Sequence, residues 1–275
     1  MADHSENLFP DLIDKNAKIV FSEQQSNISA NISGWAKLTG KLLYWWSWLV
    51  VGTLLLFIAP LVLLVAAIFN RPYWVYPWAH WGAGFWLKAS GSKLVVKGLE
   101  NLEADKSYVF ISNHRSYLDT ATLFICTGRN LGLVAKKELL KVPVLGYGMG
   151  FVNVLAIDRT NPQRAIETID KARDVLAKGF SFGIFAEGTR AMPGELLPFK
   201  KGAFHLAIQT EAPIIPVAIK HTDRLMGKKT GLAFPGTIEV VLFPAVETND
   251  LSAEMNIKTL LNEVRGVIAA ELAKN

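Results

Sequence analysis

A histidine and an aspartate, separated by four residues, follow a short apolar run in this 275-residue chain. They are His114 and Asp119, in the run NHRSYLD that begins at Asn113. An imidazole held by a carboxylate is a general base that works near neutral pH, and such a base can make a hydroxyl attack a carbonyl. The sequence therefore predicts a catalytic histidine with an aspartate as its orienting partner.

The two side chains can meet only if the chain turns between them. On a regular helix they would point about 140° apart, because each residue advances the helix by about 100°. Ser116 and Asp119 have the spacing of a capping box, and residues 120–126 can form the helix that follows. We therefore expect His114 in a turn and Asp119 in the first turn of that helix. In the alternative interpretation, Asp119 only caps the helix and His114 is a surface residue.

A second polar run, AEGTR at 186–190, follows another apolar segment. Gly188 would let backbone amides approach an anion, Thr189 offers a donor, and Arg190 can bind a phosphate through two hydrogen bonds. Glu187 could order the arginine or a substrate hydroxyl. The structural alternative is a capped strand end with an exposed ion pair.

These two runs resemble motifs of the glycerolipid acyltransferase family. Residues 113–119 match the first family motif without a mismatch, and residues 185–190 have the form of the third, with Ala186 where proline is usual. The resemblance covers roughly residues 93–220. It implies an α/β fold with a single mixed sheet, preceded by an N-terminal membrane-anchoring helical segment.

Two further runs are similar to the remaining motifs of the family. Residues 153–159 match the second motif at their end, but Asn153 stands where glycine is usual and Ala156 where a bulkier residue is. Residues 212–217 are similar to the fourth motif. Four motifs in the family's order make the resemblance specific.

The resemblance also implies roles for individual residues. His114 and Asp119 become the catalytic pair, and Ile214 and Pro216 border the acyl-donor pocket. The residues implied in binding the substrate phosphate are Lys136, Arg159, Glu187, Gly188, Thr189 and Arg190. No metal and no cofactor is implied, because the acyl group comes from a co-substrate, either acyl-CoA or acyl-carrier protein.

The implied reaction is acyl transfer from a thioester to the sn-2 hydroxyl of lysophosphatidic acid, which gives phosphatidic acid. An acyltransferase for another lyso-lipid or for glycerol-3-phosphate shares all of this chemistry. A membrane-bound serine hydrolase or thioesterase would instead use Ser181 in the run GFSFG at 179–183. That motif must follow a strand and begin a helix, and here the expected order is reversed. A lipid-binding scaffold without catalysis is the remaining alternative.

The charge of the chain is unevenly distributed. Residues 1–34 carry five acids and two bases, so the rest holds 27 bases and 19 acids, a net +8. Such a body suits an anionic membrane surface or phosphorylated substrates. No zinc-finger spacing, RNP signature or long basic cluster supports a nucleic-acid partner. The single cysteine, Cys126, excludes an internal disulfide, fits a cytosolic catalytic face, and is expected to be a small buried residue.

Residues 42–69 form an uncharged run of 28 residues. As a helix it would be about 42 Å long, beyond the roughly 30 Å hydrocarbon core of a bilayer, and Pro60 should kink or break it. All eight tryptophans lie between Trp35 and Trp86, where interfacial anchors would be placed. Basic residues flank the run on both sides, which favours a kinked or re-entrant helical pair with both ends cytosolic. One tilted span is the alternative.

These patterns divide the chain into three parts. We expect a polar, loosely ordered tail at 1–34, a membrane-anchoring helical segment at 35–90 and an α/β acyltransferase domain at 91–275, placed on the cytosolic face of the inner (cytoplasmic) membrane. The predicted strands are 108–112, 132–135, 152–157, 182–186, 214–219 and 237–243. Helices are predicted at 162–178 and 255–273.

Overall fold

A computed structural model describes residues 18–20, 32–142, 144–157, 162–248 and 254–274. The strands within these residues are β1 (Ile19–Val20), β2 (Ser92–Lys97), β3 (Val109–Ser112), β4 (Leu131–Lys136), β5 (Leu155–Ile157), β6 (Ser181–Phe185), β7 (Glu195–Leu196), β8 (Ile214–Lys220) and β9 (Gly236–Leu242). The α-helices are α1 (Gly34–Thr53), α2 (Ala59–Ile68), α3 (Val75–Ala89), α4 (Leu118–Ile125), α5 (Leu145–Met149), α6 (Pro162–Ala177), α7 (Gly202–Thr210), α8 (Thr222–Met226) and α9 (Glu254–Ala273).

Seven of the strands form one mixed sheet in the order β2-β9-β8-β3-β6-β4-β5. Strands β8, β3, β6, β4 and β5 run parallel to one another. Strand β9 is antiparallel to β8 and pairs in parallel with the edge strand β2. The predicted fold class, an α/β domain with a single mixed sheet, is confirmed.

The central strands are buried on both faces, which explains why the sequence shows them as unbroken apolar runs. Every residue of β3 and β8 is buried. Val109 and Ile111 pack with α6, α7 and α9 on one face, whereas Phe110 packs with α3, α4 and α8 on the other. The sheet is thus a rigid support for the loops that begin at the carboxyl ends of β3 and β6.

One helix among the described residues is long and apolar enough to cross a membrane, the continuous segment Gly34–Ile68. Only 17% of its apolar stretch is buried, unlike the core helix of a soluble domain. The expected break at Pro60 is not found. Pro60 lies in the first turn of α2, where a missing N–H is tolerated, and a π-helical turn, Leu54–Ile58, precedes it.

Helix α3 folds back against α1 and α2, so the N-terminal part of the protein is a pair of packed helices. Ala66 and Leu63 of α2 are buried against Val75, at the start of α3. In contrast, Phe57 and Leu61 are more than half exposed. The pair therefore presents a continuous apolar surface away from the sheet.

A short part of the polar N-terminal segment contacts the α/β domain, and most of that segment lies outside the described residues. Residues 18–20 include strand β1, in which Ile19 lies opposite Leu196 of β7 in an antiparallel pair. Lys18 Nζ lies 2.6 Å from Glu195 Oε1. The chain before the apolar helix thus contacts a loop that follows β6.

Strand β5 is shorter than predicted, because the chain turns just before it. A 3₁₀ turn, Gly150–Val152, is followed by Asn153 at φ +52°, in the left-handed region. Asparagine tolerates that region better than other residues that carry a side chain. Asn153 therefore occupies a position that also suits glycine, the residue usual there in the resembling motif, and its side chain donates to Tyr76 Oη at 3.1 Å.

Candidate active site

The loops that carry the two polar runs leave the sheet side by side. Strands β3 and β6 are parallel neighbours, with Ser112 opposite Phe185 at their carboxyl ends. His114 lies two residues beyond β3, and Glu187 lies two residues beyond β6. Ligands of open α/β sheets bind outside the carboxyl ends of the strands. The candidate site therefore lies at this edge.

The predicted contact between His114 and Asp119 is present. His114 Nδ1 lies 2.9 Å from Asp119 Oδ2, and the aspartate side chain is fully buried, whereas that of the histidine is 15% exposed. A carboxylate oxygen can only accept a hydrogen bond, so Nδ1 carries the proton. The lone pair of Nε2 is consequently available to take a proton.

The turn between the two residues is held by the same carboxylate. Asp119 Oδ2 also accepts hydrogen bonds from the backbone amides of Arg115 at 2.6 Å and Ser116 at 2.7 Å. Ser116 Oγ accepts from the Leu118 amide at 3.2 Å. Asp119 lies in the first turn of α4, as predicted, and its carboxylate makes the predicted bond to the Ser116 amide, but Ser116 Oγ binds the Leu118 amide and the N-cap position is Tyr117.

The loop after β6 clamps the backbone of His114 from both sides. The His114 amide donates to Glu187 Oε1 at 2.6 Å, and its carbonyl accepts from the Ala191 amide at 2.7 Å. The imidazole stacks on the Phe185 ring with centroids 4.0 Å apart and planes 17° apart. His114 is therefore fixed in backbone and ring, as a preorganised base requires.

Glu187 is buried between the loops that follow β3 and β6. Its second oxygen, Oε2, accepts from the Leu197 amide at 2.8 Å, so both oxygens bind backbone N–H groups. Burial raises the pKa of Glu187 to about 8, while the amides of His114 and Leu197 and the charge of Arg115 act in the opposite direction. The carboxyl joins the two loops and does not face the outside.

Arg190 lies at the surface side of the same loop. Its guanidinium carbon is 3.4 Å from the centroid of the Tyr117 ring, and Lys228 Nζ donates to its backbone carbonyl. Gly188 has φ +67°, which lets the loop turn sharply. Thr189 is exposed beside them. Two cations, a sharply turned loop and a hydroxyl thus lie next to the His114 turn.

The alanine in this loop adds a hydrogen bond that proline could not make. Ala186 is buried, and its amide donates to the Ser112 carbonyl at 3.2 Å, which extends the pairing of β3 and β6 by one residue. Proline has no amide hydrogen. The departure from the resembling motif therefore ties the loop to the sheet and leaves the polar residues unchanged.

Four predicted residues lie elsewhere or cannot be placed. Ile214 and Pro216 are buried inside β8. Ile219 is the residue of β8 that contacts the active-site turn, through Asn113. Ile214 comes five positions earlier, which is about 16 Å along the strand, so the structure does not bring Ile214 to the His114 turn. Lys136 ends β4 at the expected edge, but its side chain and all of Arg159 lie outside the described part of the chain.

Several residues that organise the site carry no signal in the sequence analysis. Asn113 is fully buried, and its side-chain amide bonds both the N–H and the carbonyl of Ile219, at 2.8 and 2.9 Å. Arg115 is buried too, donating to the Glu195 carbonyl at 2.7 Å and lying 3.3 Å from Asp223. Only the presence of these polar residues in the run NHRSYLD could have indicated such a role.

The competing nucleophiles lie far from this edge. Ser181 is buried at the amino end of β6, where its Oγ accepts from the Tyr108 amide at 3.0 Å. It comes four positions before Phe185, which corresponds to about 13 Å along the strand. Cys126 is buried, and burial raises the pKa of its thiol to about 12. The serine-hydrolase interpretation is inconsistent with this placement, and the expectation of a buried cysteine is confirmed.

Known proteins similar to this chain are acyltransferases. The family model described as Acyltransferase matches residues 93–220. The 1-acyl-sn-glycerol-3-phosphate acyltransferase of Pseudomonas aeruginosa is 35% identical over 199 residues, which cover 71% of this chain and 74% of the relative. The enzyme of that name from Saccharomyces cerevisiae is 38% identical over 60% of this chain and 55% of its own length.

A solved structure extends the match to most of the fold. The crystal structure of the 1-acyl-sn-glycerophosphate (LPA) acyltransferase PlsC from Thermotoga maritima has a TM-score of 0.71 and 25% identity, over 86% of this chain and 98% of that chain. The chain spans about half the length of the yeast and chloroplast relatives that it matches. Fold and site define an α/β protein with a histidine–aspartate pair at the carboxyl edge of its sheet. The chain belongs to the acyltransferase family.

Proposed function

We propose that this protein transfers an acyl group from a thioester to the sn-2 hydroxyl of lysophosphatidic acid, which gives phosphatidic acid. The observation that carries the proposal is the fixed imidazole of His114, with Nδ1 bound to Asp119 and the lone pair of Nε2 available, beside the cation Arg190. The relatives from yeast and Pseudomonas aeruginosa are 1-acyl-sn-glycerol-3-phosphate acyltransferases by name, which supports this acceptor.

His114 acts as the general base in the proposed reaction. Its Nε2 takes the hydroxyl proton of the acceptor while the hydroxyl oxygen attacks the thioester carbonyl. Asp119 stabilises the imidazolium that forms, since it holds the Nδ1–H bond throughout. The tetrahedral intermediate then expels the thiolate, which receives the proton from Nε2, so the enzyme returns to its starting state.

The transfer is direct and needs no acyl-enzyme. Ser181 and Cys126 are both buried, and Ser181 lies at the opposite end of β6 from the loop that holds His114. Either acyl-CoA or acyl-carrier protein supplies the acyl group, and no further cofactor enters the reaction.

Arg190 is the proposed centre of the phosphate site, with Gly188 and Thr189 as neighbouring donors. Lys136 and Arg159 join it in this proposal, because β4 and β5 end at the same edge, with Lys136 opposite Ile157. Glu187 has a different role from the one its motif suggested. A buried carboxyl whose two oxygens both bind backbone amides holds the His114 turn and has no oxygen directed at a substrate.

The apolar helix Gly34–Ile68 and its partner α3 attach the protein to the membrane in this proposal, at the cytosolic face of the cytoplasmic membrane. Exposed tryptophans, among them Trp45 and Trp74, suit the interfacial region. Acceptor and product are both lipids, so a bound enzyme avoids extracting acyl chains into water.

The test is product formation from lysophosphatidic acid and labelled oleoyl-CoA in detergent micelles, for wild type, His114→Ala and the control His205→Ala. We expect phosphatidic acid from wild type and control, and a loss of at least about a thousandfold in His114→Ala, within the range for a general base. Activity only on another lyso-lipid or on glycerol-3-phosphate would change the acceptor. A silent wild type with every acceptor and both donors would overturn the proposal.

A further inference from the structure

Tyr117 lies between a cation of the candidate phosphate site and the apolar helix. The Arg190 guanidinium carbon is 3.4 Å from the centroid of its ring. The ring of Trp48, in helix α1, packs edge-on against the same tyrosine, with centroids 4.8 Å apart and planes 80° apart. Three side chains that are distant in sequence thus form one stack at the active-site edge.

The guanidinium in this stack has an unused donor. Arg190 Nη1 is buried, and no group in the described residues accepts a hydrogen bond from it. A buried N–H without an acceptor is unfavourable unless a ligand provides one. The donors of a guanidinium lie in its plane, so stacking on an aromatic face leaves them free to bind an anion.

We propose that Tyr117 is a positioning residue for the acceptor phosphate, and that Trp48 braces it from the apolar helix. The tyrosine ring holds the Arg190 guanidinium beside the His114 turn, with its donors directed at the phosphate. The apolar helix is therefore part of the acceptor site and not only an anchor. This inference rests on the proposed function, because it assigns the anion of Arg190 to the acceptor.

Buried polar contacts hold the two aromatic residues in register. Ser47, the residue before Trp48, accepts from Trp86 Nε1 at 2.9 Å and lies 3.8 Å from the Met226 sulfur. Ser116, the residue before Tyr117, donates to the Met226 carbonyl at 2.6 Å. Both serines are fully buried. The apolar helix and the His114 turn are thus joined through Met226, next to the aromatic contact.

The first experiment measures kcat and the KM of the acceptor for variants of Tyr117. A short-chain, water-soluble lysophosphatidic acid keeps membrane docking out of the measurement. Tyr117→Leu should raise the acceptor KM about 3- to 30-fold, the range of a cation–π contact, with kcat changed less than about threefold. Tyr117→Phe and Tyr117→Trp keep an aromatic face, so both should stay within about twofold of wild type.

The second experiment tests the brace with matched tryptophan variants of the same helix. Trp48→Leu should raise the acceptor KM about 2- to 10-fold, as expected for loss of one aromatic contact. Trp45 and Trp46 are 69% and 52% exposed, so Trp45→Leu and Trp46→Leu should leave that KM unchanged for the soluble acceptor. Equal behaviour of all three variants would mean that the helix only anchors the protein.

Arg190→Ala separates failure of this inference from failure of the proposed function. If Arg190→Ala raises the acceptor KM at least about tenfold while Tyr117→Leu leaves it unchanged, the positioning role is overturned and the phosphate site stands. If Arg190→Ala also leaves the KM unchanged, the phosphate site itself is wrong. Thermal melting identifies variants that do not fold, and Trp48→Leu decides the question where Tyr117→Leu fails to fold.

Discussion

Both ends of the strand pair β3 and β6 carry residues that could react, but the polar atoms are hydrogen-bonded within the fold at one end and partly without partners at the other. At the carboxyl end, the His114 ring is partly exposed, and Asp119 Oδ1 and Arg190 Nη1 have no hydrogen-bond partner in the described residues. At the amino end, Ser181 Oγ accepts the Tyr108 amide in a buried contact. A reactive side chain can do chemistry only where its polar atoms are not already used by the fold.

The sheet topology produces this difference. Because β3 and β6 are parallel, both of their outgoing loops lie at one edge, where they converge and hold His114 between them. At the opposite edge, the incoming chain is tied to helix α6, where Ser107 Oγ donates to the Leu176 carbonyl at 2.8 Å. One edge therefore leaves polar groups available, while the other uses them to close the core.

The largest effect is expected from Asp119→Asn. Asp119 Oδ2 receives three N–H donors, and in the proposed reaction its negative charge stabilises the imidazolium. The amide has no charge and would leave its own N–H group buried without an acceptor. We expect kcat to fall about a thousandfold, within the range for loss of such an orienting carboxylate, with little change in the acceptor KM.

Steady-state kinetics in detergent micelles measures this effect. A fall in kcat of less than about tenfold would mean that Asp119 only caps the helix, which is the alternative interpretation of the sequence. In that case the carboxyl edge would lose its distinction from the amino edge. Far-UV circular dichroism of the variant checks that α4 and the sheet remain folded.

The pH dependence of stability should report the unusual carboxyl at the same edge. Burial raises the pKa of Glu187 to about 8 in the folded protein. Between its usual value near 4.5 and about 8, the folded state therefore holds a proton that the unfolded state releases. The free energy of unfolding should fall as pH rises through this window, by on the order of a few kcal/mol, and then level off.

Urea unfolding at several pH values measures this dependence, with Glu187→Gln as the comparison. The glutamine does not titrate, so the difference between the two proteins isolates Glu187 from other groups. A flat difference between pH 5 and 8 would show that the carboxyl is ionised throughout the window.

The same substitution should lower activity by a smaller factor. Glutamine offers one acceptor oxygen, so either the His114 amide or the Leu197 amide loses its partner. The turn that carries the base then relaxes, and displacement of a catalytic group by about 1 Å can cost on the order of 10²-fold. We expect kcat to fall about 10- to 100-fold with the acceptor KM nearly unchanged. A raised KM instead would return Glu187 to the acceptor site.

Local patterns were enough to predict six of the seven strands of the sheet and the contact between His114 and Asp119. Strand β3 is buried on both faces, so it appears in the sequence as an unbroken apolar run. The spacing of Ser116 and Asp119 predicted the turn before α4. The role of Glu187 could not be predicted, because its partners, His114 and Leu197, come from two loops that only the folded sheet brings together. The contact between Trp48 and Tyr117 escaped for the same reason.

Other predictions differed from the structure where a local sequence pattern is compatible with more than one conformation. Pro60 was expected to kink or break the apolar helix, and the helix is not broken, because a proline in the first turn after a π-helical segment is accommodated. Strand β2 was missed because it is an edge strand of alternating burial, and its partner β9 lies far along the chain. Ile214 is buried in β8, and its assignment to an acyl-donor pocket stays a prediction.

The smallest effect is expected at the amino edge, from Ser181→Ala. The substitution leaves the Tyr108 amide buried without its acceptor, which should lower the free energy of unfolding by about 1–2 kcal/mol. Activity should stay within about twofold of wild type, because the contact lies at the opposite end of β6, about 13 Å along the strand from Phe185, on which His114 stacks. Urea unfolding and steady-state kinetics measure the two quantities on one preparation. A Ser181→Ala protein that is as stable as wild type but inactive would contradict this prediction. It would mean that the amino edge takes part in the chemistry.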